Sequence, residues 1–188
     1  MKAVAVLGSG VIALATGAFI SAGAAGSGTL NSLLARGSYF EAAVEGAVIA
    51  RPSGEVAFGI VGDSAAGMAA FTITLGGEGS TGAILLTSLE GRMPAPGRYE
   101  VTDGALASAT GFRGSYIAGS ADRPSGLFRA KRGTLEITAS SAGHLSGQFS
   151  FTGAGFLVLD PSDESSEVTV SGAFTATHPS PAARPAQP

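Results

Sequence analysis

Histidine and cysteine, the side chains that most often act as bases, nucleophiles or metal ligands, are scarce in this chain. It has two histidines, His144 and His178, and no cysteine, which excludes disulfides, thiolate metal sites and cysteine nucleophiles. His144 stands in the turn-like sequence "SSAGHLSG", and His178 opens a proline-rich end. No nucleophile elbow of the form G-x-S-x-G occurs between a predicted strand and helix. The sequence therefore predicts no catalytic residue, and we expect the chain not to be an enzyme.

Paired carboxylates are a second source of catalysis, because a glycosidase needs two acids facing one cleft. The acids of the chain body stand in runs where apolar and polar residues alternate, so they fall on the face opposite the apolar side chains. They are Glu41, Glu45, Glu55, Glu90, Glu100 and Glu136. Outward carboxylates keep a protein soluble, so these residues predict a solvated surface rather than a glycosidase site.

A third cluster is acidic and lies in one predicted loop, "DPSDESSE". It contains Asp160, Asp163, Glu164 and Glu167, and such hard oxygen ligands suit Ca²⁺. The spacing of an EF-hand is missing, and no glycine stands where that loop turns sharply. A solvated acidic hairpin loop is the main expectation and a calcium site the alternative. The sequence predicts no cofactor.

The basic residues gather in "RPSGLFRAKRG", which contains Arg123, Arg129, Lys131 and Arg132. One interpretation is a charged edge strand, whose cations resist edge-to-edge pairing with another chain. The other is a docking patch for an acidic partner or for lipid headgroups. Nucleic acid is excluded as a partner class, because the net charge is −3 and few aromatic residues are expected at the surface.

The elements that must position these groups are predicted to be strands. Hydrophobic residues make up 45% of the 188 residues, charged residues 13%, and 29 glycines punctuate short apolar runs. Runs such as "AAFTITL" and "GTLEITA" alternate with period two, as strands with one buried face do. About ten such runs predict an all-β fold, an antiparallel β-sandwich or barrel, over residues 38–177. The predicted inward residues are Phe58, Phe71, Ile73, Leu135, Ile137, Phe149, Phe151, Val170 and Phe174.

Three stretches share a pattern of Ser-Gly, any residue, then Phe: "SGLFRA", "SGQFSF" and "SGAFTA". Their spacing is uneven, which is not typical of a repeat protein. Apart from a serine hydroxyl, the motif holds no acid, base or ligand. We interpret it as the beginning of a strand, with Gly147, for example, letting the chain leave a turn without a Cβ clash.

The sequence "GTLEITASSAGHLSGQFSFTG", followed by "VTVSGAFTAT", resembles the C-terminal hairpins of uncharacterised exported bacterial β-sandwich proteins. The resemblance covers about residues 133–177, and "PAPGRYEV" is similar to a turn of the same proteins. It implies a sandwich and export, and it implies no known activity.

The N-terminus has no charged residue between Lys2 and Arg36. Residues 11–20 fit the apolar core of a signal peptide, and Ala22-Gly23-Ala24 fits its cleavage site. Alternatively, residues 3–26 form a transmembrane helix of about 36 Å. Small residues would then allow close packing with other membrane helices, namely Gly10, Ala13, Gly17, Ala18 and Ala22. We expect residues 1–26 to be a signal or anchor, 27–37 a linker and 178–188 a proline-rich disordered tail.

These observations predict a non-catalytic interaction or structural module of the cell envelope, exported or anchored at its N-terminus. Its partners would be envelope proteins, and the membrane if the N-terminal helix is retained. The domain would be periplasmic on the inner membrane, or secreted if the signal is cleaved. One alternative is an accessory subunit of a photosynthetic or respiratory inner-membrane complex. The other is a secreted hydrolase or small-ligand carrier.

Overall fold

The structure is a computed structural model, which describes residues 38–62, 69–77, 79–103, 110–120, 122–159 and 166–177. These residues form ten β-strands. They are β1 (Tyr39–Gly46), β2 (Ser53–Gly54), β3 (Val56–Val61), β4 (Ala70–Leu75), β5 (Gly82–Ser88), β6 (Gly97–Glu100), β7 (Arg113–Ser120), β8 (Arg123–Ser141), β9 (His144–Leu157) and β10 (Ser166–Thr177). The all-β prediction is confirmed for this part of the chain.

All ten strands belong to one antiparallel sheet. Its order is β2-β1-β10-β9-β8-β7-β5-β4-β3, and β6 pairs with the second half of β8. Most neighbours in the sheet are also neighbours in sequence, as expected for hairpins joined by short turns. Within the described ranges, no helix is long and apolar enough to cross a membrane.

The two ends of this sheet order are joined by one short stretch of chain, Ser53–Val61. Its first residues, in β2, pair with β1, and its later residues, in β3, pair with β4. Only Glu55 separates the two strands. The sheet therefore curls until it is nearly closed and barrel-like, and its inner face becomes the core. Of the two arrangements that the alternation allowed, this single, nearly closed sheet is closer to a barrel than to a sandwich of two packed sheets.

The core contains all nine residues that the alternation predicted to point inward. Each of them is buried, and Phe58, the most exposed of the set, is 9% exposed. Glu41 and Glu136, on the alternate positions of their strands, are exposed. The period-two pattern thus assigned the two faces correctly, because successive side chains of a strand point to opposite sides.

The glycines of the Ser-Gly-x-Phe motif have a different role from the one predicted. Gly147 and Gly172 lie inside β9 and β10 rather than at a turn, and neither has a positive φ angle. The register places Gly172 opposite Phe149, and Phe174 opposite Gly147. A Cβ on Gly172 would lie 2.8 Å from Cζ of Phe149, and one on Gly147 would lie 3.1 Å from Cζ of Phe174. The second and third motifs, "SGQFSF" and "SGAFTA", therefore each provide a phenylalanine and the space for the phenylalanine of the other.

The predicted signal or anchor, its packing residues Gly10, Ala13, Gly17, Ala18 and Ala22, and the linker lie outside the described residues. So does the proline-rich tail. These assignments remain predictions.

Candidate functional site

The basic residues of "RPSGLFRAKRG" lie on β8, which is not an edge strand. β9 pairs along one side of β8, while β7 and then β6 pair along the other. The edge-strand interpretation was therefore wrong. The local sequence shows only that this segment alternates and carries charge, whereas its place in the sheet depends on strands far away in sequence. The four basic residues are exposed, so their side chains lie on the outer face of the sheet. They do not protect an unpaired strand edge.

A β-bulge explains why two consecutive cations both reach solvent. Before it, Phe128 and Ala130 point inward, and after it Leu135 does, so the inward positions change from even to odd numbers. The register of β8 against β9 shifts between Ala130 and Arg132. A bulge inserts one extra residue into a strand and changes its phase. As a result Lys131 and Arg132 are both exposed, and the core residues on either side remain buried.

The structure brings three of the four predicted cations together and leaves the fourth apart. Arg129, Lys131 and Arg132 lie within four positions of one another on the outer face of β8. Arg123 begins the strand six residues before Arg129, about 20 Å away at the rise of an extended strand. We call Arg129, Lys131 and Arg132, together with Arg113 of β7, the basic band.

Arg113 was missed by the sequence reasoning. It lies on β7 two residues before Ser115, which pairs with Arg129, so the two arginine Cα atoms are within about 9 Å. Its side chain is half-buried, and its Nε atom has no hydrogen-bond partner within the described ranges. The outward position of Arg113 in "GFRGSYIAG" was a usable signal, but the pairing of β7 with β8 was not visible in the sequence.

One carboxylate meets the basic band, and it comes from the predicted calcium loop. Nζ of Lys131 donates a hydrogen bond of 2.8 Å to Oε1 of Glu167, and both side chains are more than half exposed. This hydrogen bond, the charge of Lys131 and, to a smaller extent, that of Arg132 hold the pKa of the Glu167 carboxyl below its usual range. Glu167 is thus engaged by a cation rather than free for a metal.

The other three predicted calcium ligands, Asp160, Asp163 and Glu164, lie outside the described residues. Among the residues that the structure does describe, no group of three or more His, Asp or Glu side chains could hold a metal ion. The calcium site therefore remains a prediction.

The groups considered for catalysis lie mostly at the exposed surface of the sheet. His144 begins β9 and is paired across the sheet with Ser141 and Thr177. The candidate acids are exposed, except for Glu90, which is half-buried and forms an ion pair of 3.0 Å with Arg92. Glu136 accepts a hydrogen bond from Nε2 of Gln148 on the outer face.

One buried polar group was not singled out by the sequence. Tyr116 is fully buried on the inner face, stacked on Phe128 with ring centroids 6.1 Å apart. Its hydroxyl has no hydrogen-bond partner among the residues that the structure describes, and burial raises the pKa of this phenol. The ring rests on Gly82, whose Cβ, if present, would lie 2.9 Å from the hydroxyl oxygen. Within the described part of the chain, Tyr116 is therefore a packing residue with an unsatisfied hydroxyl.

Comparison of the chain with protein-family models, with curated proteins and with solved structures found no match. The resemblance to exported β-sandwich proteins therefore remains a prediction. The feature with the most to offer a partner is the basic band, because it gathers four cations from two strands on one exposed face.

Proposed function

We propose that this chain is a non-catalytic interaction or structural module of the cell envelope, exported or anchored through its N-terminus. The basic band on the outer face of the sheet supports the proposal most directly. The four cations of the band come from two adjacent strands. Among the described residues, Lys131 is the only one of the four that forms an ion pair. Charges held on a rigid sheet are suited to recognition of an oppositely charged surface.

A more specific form of this proposal is an accessory subunit of an inner-membrane complex, photosynthetic or respiratory, with the β-domain in the periplasm. The apolar N-terminal sequence supports membrane attachment, and the basic band would face the rest of the complex. The other alternative, a secreted hydrolase or ligand carrier, has less support. Glycines on the inner face accommodate aromatic rings at close range, which favours a packed interior over a ligand cavity.

Fractionation of the cells that make the protein, followed by native electrophoresis and intact-mass measurement, tests the proposal. We expect the chain in the envelope fraction, in a particle larger than its own 18.4 kDa. The double variant Arg129→Glu/Arg132→Glu should release it from that particle. Arg98→Glu, on exposed β6 away from the band, is the matched control and should not. A wild-type chain that migrates alone, or that stays in the cytoplasm, contradicts the proposal. The intact mass distinguishes a cleaved signal from a retained anchor.

A further inference from the structure

A row of apolar side chains crosses the outer face of the sheet next to the basic band. Phe156 of β9 pairs with Leu127 of β8, Leu127 pairs with Ile117 of β7, and Ile117 pairs with Ala83 of β5. The residues on either side of Leu127 and Ile117 in their strands are buried, so these four side chains point outward. We call Phe156, Leu127, Ile117 and Ala83 the apolar stripe.

The stripe differs from the other outward positions of the strands that it crosses. Further along the same strands, the outward positions carry Ser115, Thr134, Glu136 and Gln148. More apolar surface adjoins the stripe. Leu85, two residues after Ala83, is 38% exposed, and Val158 and Leu159, which follow the end of β9, are 51% and 99% exposed. A contiguous apolar patch on an otherwise polar face marks a site of contact with another molecule.

Cations lie along β8 on both sides of Leu127, the residue that this strand contributes to the stripe. Arg129 lies two residues after Leu127, about 7 Å along the strand, and Arg123 lies four residues before it, about 13 Å away. Neither guanidinium forms an ion pair with a described carboxylate. Among the described residues, the surface therefore consists of an apolar centre bordered by arginines that form no ion pair. Protein interfaces have the same composition, an apolar core within a polar rim.

We propose that the apolar stripe and the basic band together bind an acidic segment of a partner protein. Its apolar side chains cover Leu127, Ile117 and Phe156, and its carboxylates reach Arg129 and Arg132. Arginine binds a carboxylate through two parallel hydrogen bonds, which fixes the direction of the segment as well as adding affinity. This inference rests on the proposed function and names the partner's chemistry.

The observations favour a protein over a membrane as the occupant. At the centre of the stripe, Leu127, Ile117 and Phe156 are only partly exposed, so they offer a flat area for packing rather than side chains that insert into lipid.

A symmetric dimer formed through this face is also disfavoured. Two copies meeting face to face would set one basic band against the other, and like charges brought together across an interface oppose association. The partner must therefore supply carboxylates of its own, beside apolar side chains.

Photo-crosslinking of the full-length protein in the cells that make it tests the inference. Benzoylphenylalanine replaces Leu127 in one variant and Ile117 in a second, so that failure of one to fold leaves the other. Thr138, an outward and exposed residue of β8 beyond the band, receives the same probe as control. We expect an adduct with a different protein from the stripe positions and none from Thr138. The cross-linked peptide should carry Asp or Glu within a few residues of an apolar attachment point. Adding Arg129→Glu/Arg132→Glu should lower the yield by about tenfold or more.

Four outcomes overturn the inference: an adduct with lipid, an adduct with a second copy of the chain, a partner site without carboxylates, or a yield that the charge reversals leave unchanged. A protein adduct at Thr138 with none at the stripe also overturns it, but leaves the proposed function standing. If no position gives a protein adduct and the chain also migrates alone in native electrophoresis, both proposals fail.

Discussion

Gly172 lies opposite Phe149 in the pairing of β9 with β10, and the ring of Phe149 packs against the α-carbon of this glycine. An alanine Cβ at position 172 would lie 2.8 Å from Cζ of Phe149, 2.9 Å from Cβ of Ala42 and 2.5 Å from the carbonyl oxygen of Glu41. All three separations are shorter than ordinary van der Waals contact, so Gly172→Ala overpacks the core. Overpacking of this kind costs about 1–3 kcal/mol in the free energy of unfolding.

The opposite change, Phe149→Ala, leaves a cavity. Phe149 is 4% exposed and packs against two other aromatic rings, those of Phe151 and Phe174, at 6.4 and 6.5 Å between centroids. Truncation of a buried phenylalanine costs about 3–5 kcal/mol. With the ring gone, the Cβ at position 172 keeps its clash with the backbone of Glu41 but loses its clash with Phe149. The double variant should therefore be more stable than the sum of the two single losses predicts, by about 1 kcal/mol or more.

Equilibrium urea denaturation of the full-length protein, followed by far-UV circular dichroism, measures this coupling. The two single variants, the double variant and the wild type form the cycle, and equal m-values across the four justify the comparison. Gly59→Ala is the matched control, because a Cβ on Gly59 would meet nothing within 4 Å, so it should be additive with Phe149→Ala. Additivity of Gly172→Ala with Phe149→Ala to within about 0.5 kcal/mol would refute the reciprocal packing. A loss below about 1 kcal/mol for Phe149→Ala would mean that its ring is not a core residue.

Three further outcomes are expected. Tyr116→Phe removes a buried hydroxyl that has no described partner, so the free energy of unfolding, measured in urea, should stay unchanged or rise. A fall of more than about 1 kcal/mol would reveal a partner such as a bound water. Lys131→Met should raise the pKa of Glu167 in a carboxyl NMR titration, whereas the control Arg98→Met should leave it unchanged. Because the pKa of Glu167 is lowered in the folded protein, the stabilisation by the ion pair is present above the ordinary glutamate pKa and is lost as the pH falls through the pKa of the folded state. Equal titrations of Glu167 in the wild type and in Lys131→Met would contradict the ion pair. Any enzymatic activity found in the purified protein should survive His144→Ala, and its loss with an unchanged thermal midpoint would restore the histidine to a catalytic role.

The faces of the strands could be predicted from the sequence, and so could the outward position of the carboxylates. Phe71 and Ile73, for example, alternate with threonines, and both phenylalanine and isoleucine are buried. The identity of β8 as one strand could not be predicted. "SGLFRA" and "GTLEITA" alternate in different phases, which indicates two strands, and only the bulge at Lys131 allows one strand to carry both.

In the candidate site, too, some residues could be predicted from the sequence and others could not. The sequence located Arg123, Arg129, Lys131 and Arg132 as a group because they are close along the chain. It could not separate Arg123 from the others, nor add Arg113, because both depend on strand pairing. The apolar stripe was equally invisible, since Phe156, Leu127 and Ile117 come from three strands and meet only through their register.

The sequence by itself therefore determined the class of this protein's fold, the composition of its core, and its lack of cysteine chemistry. These follow from residue type and from a period of two, which a strand imposes on every short segment independently. Only the tertiary structure decided which strands are neighbours, how the sheet nearly closes through Ser53–Val61, and which outward side chains share a surface. Pairing between distant segments is settled by the fit of whole strands, such as Phe149 against Gly172, and no single segment contains that information.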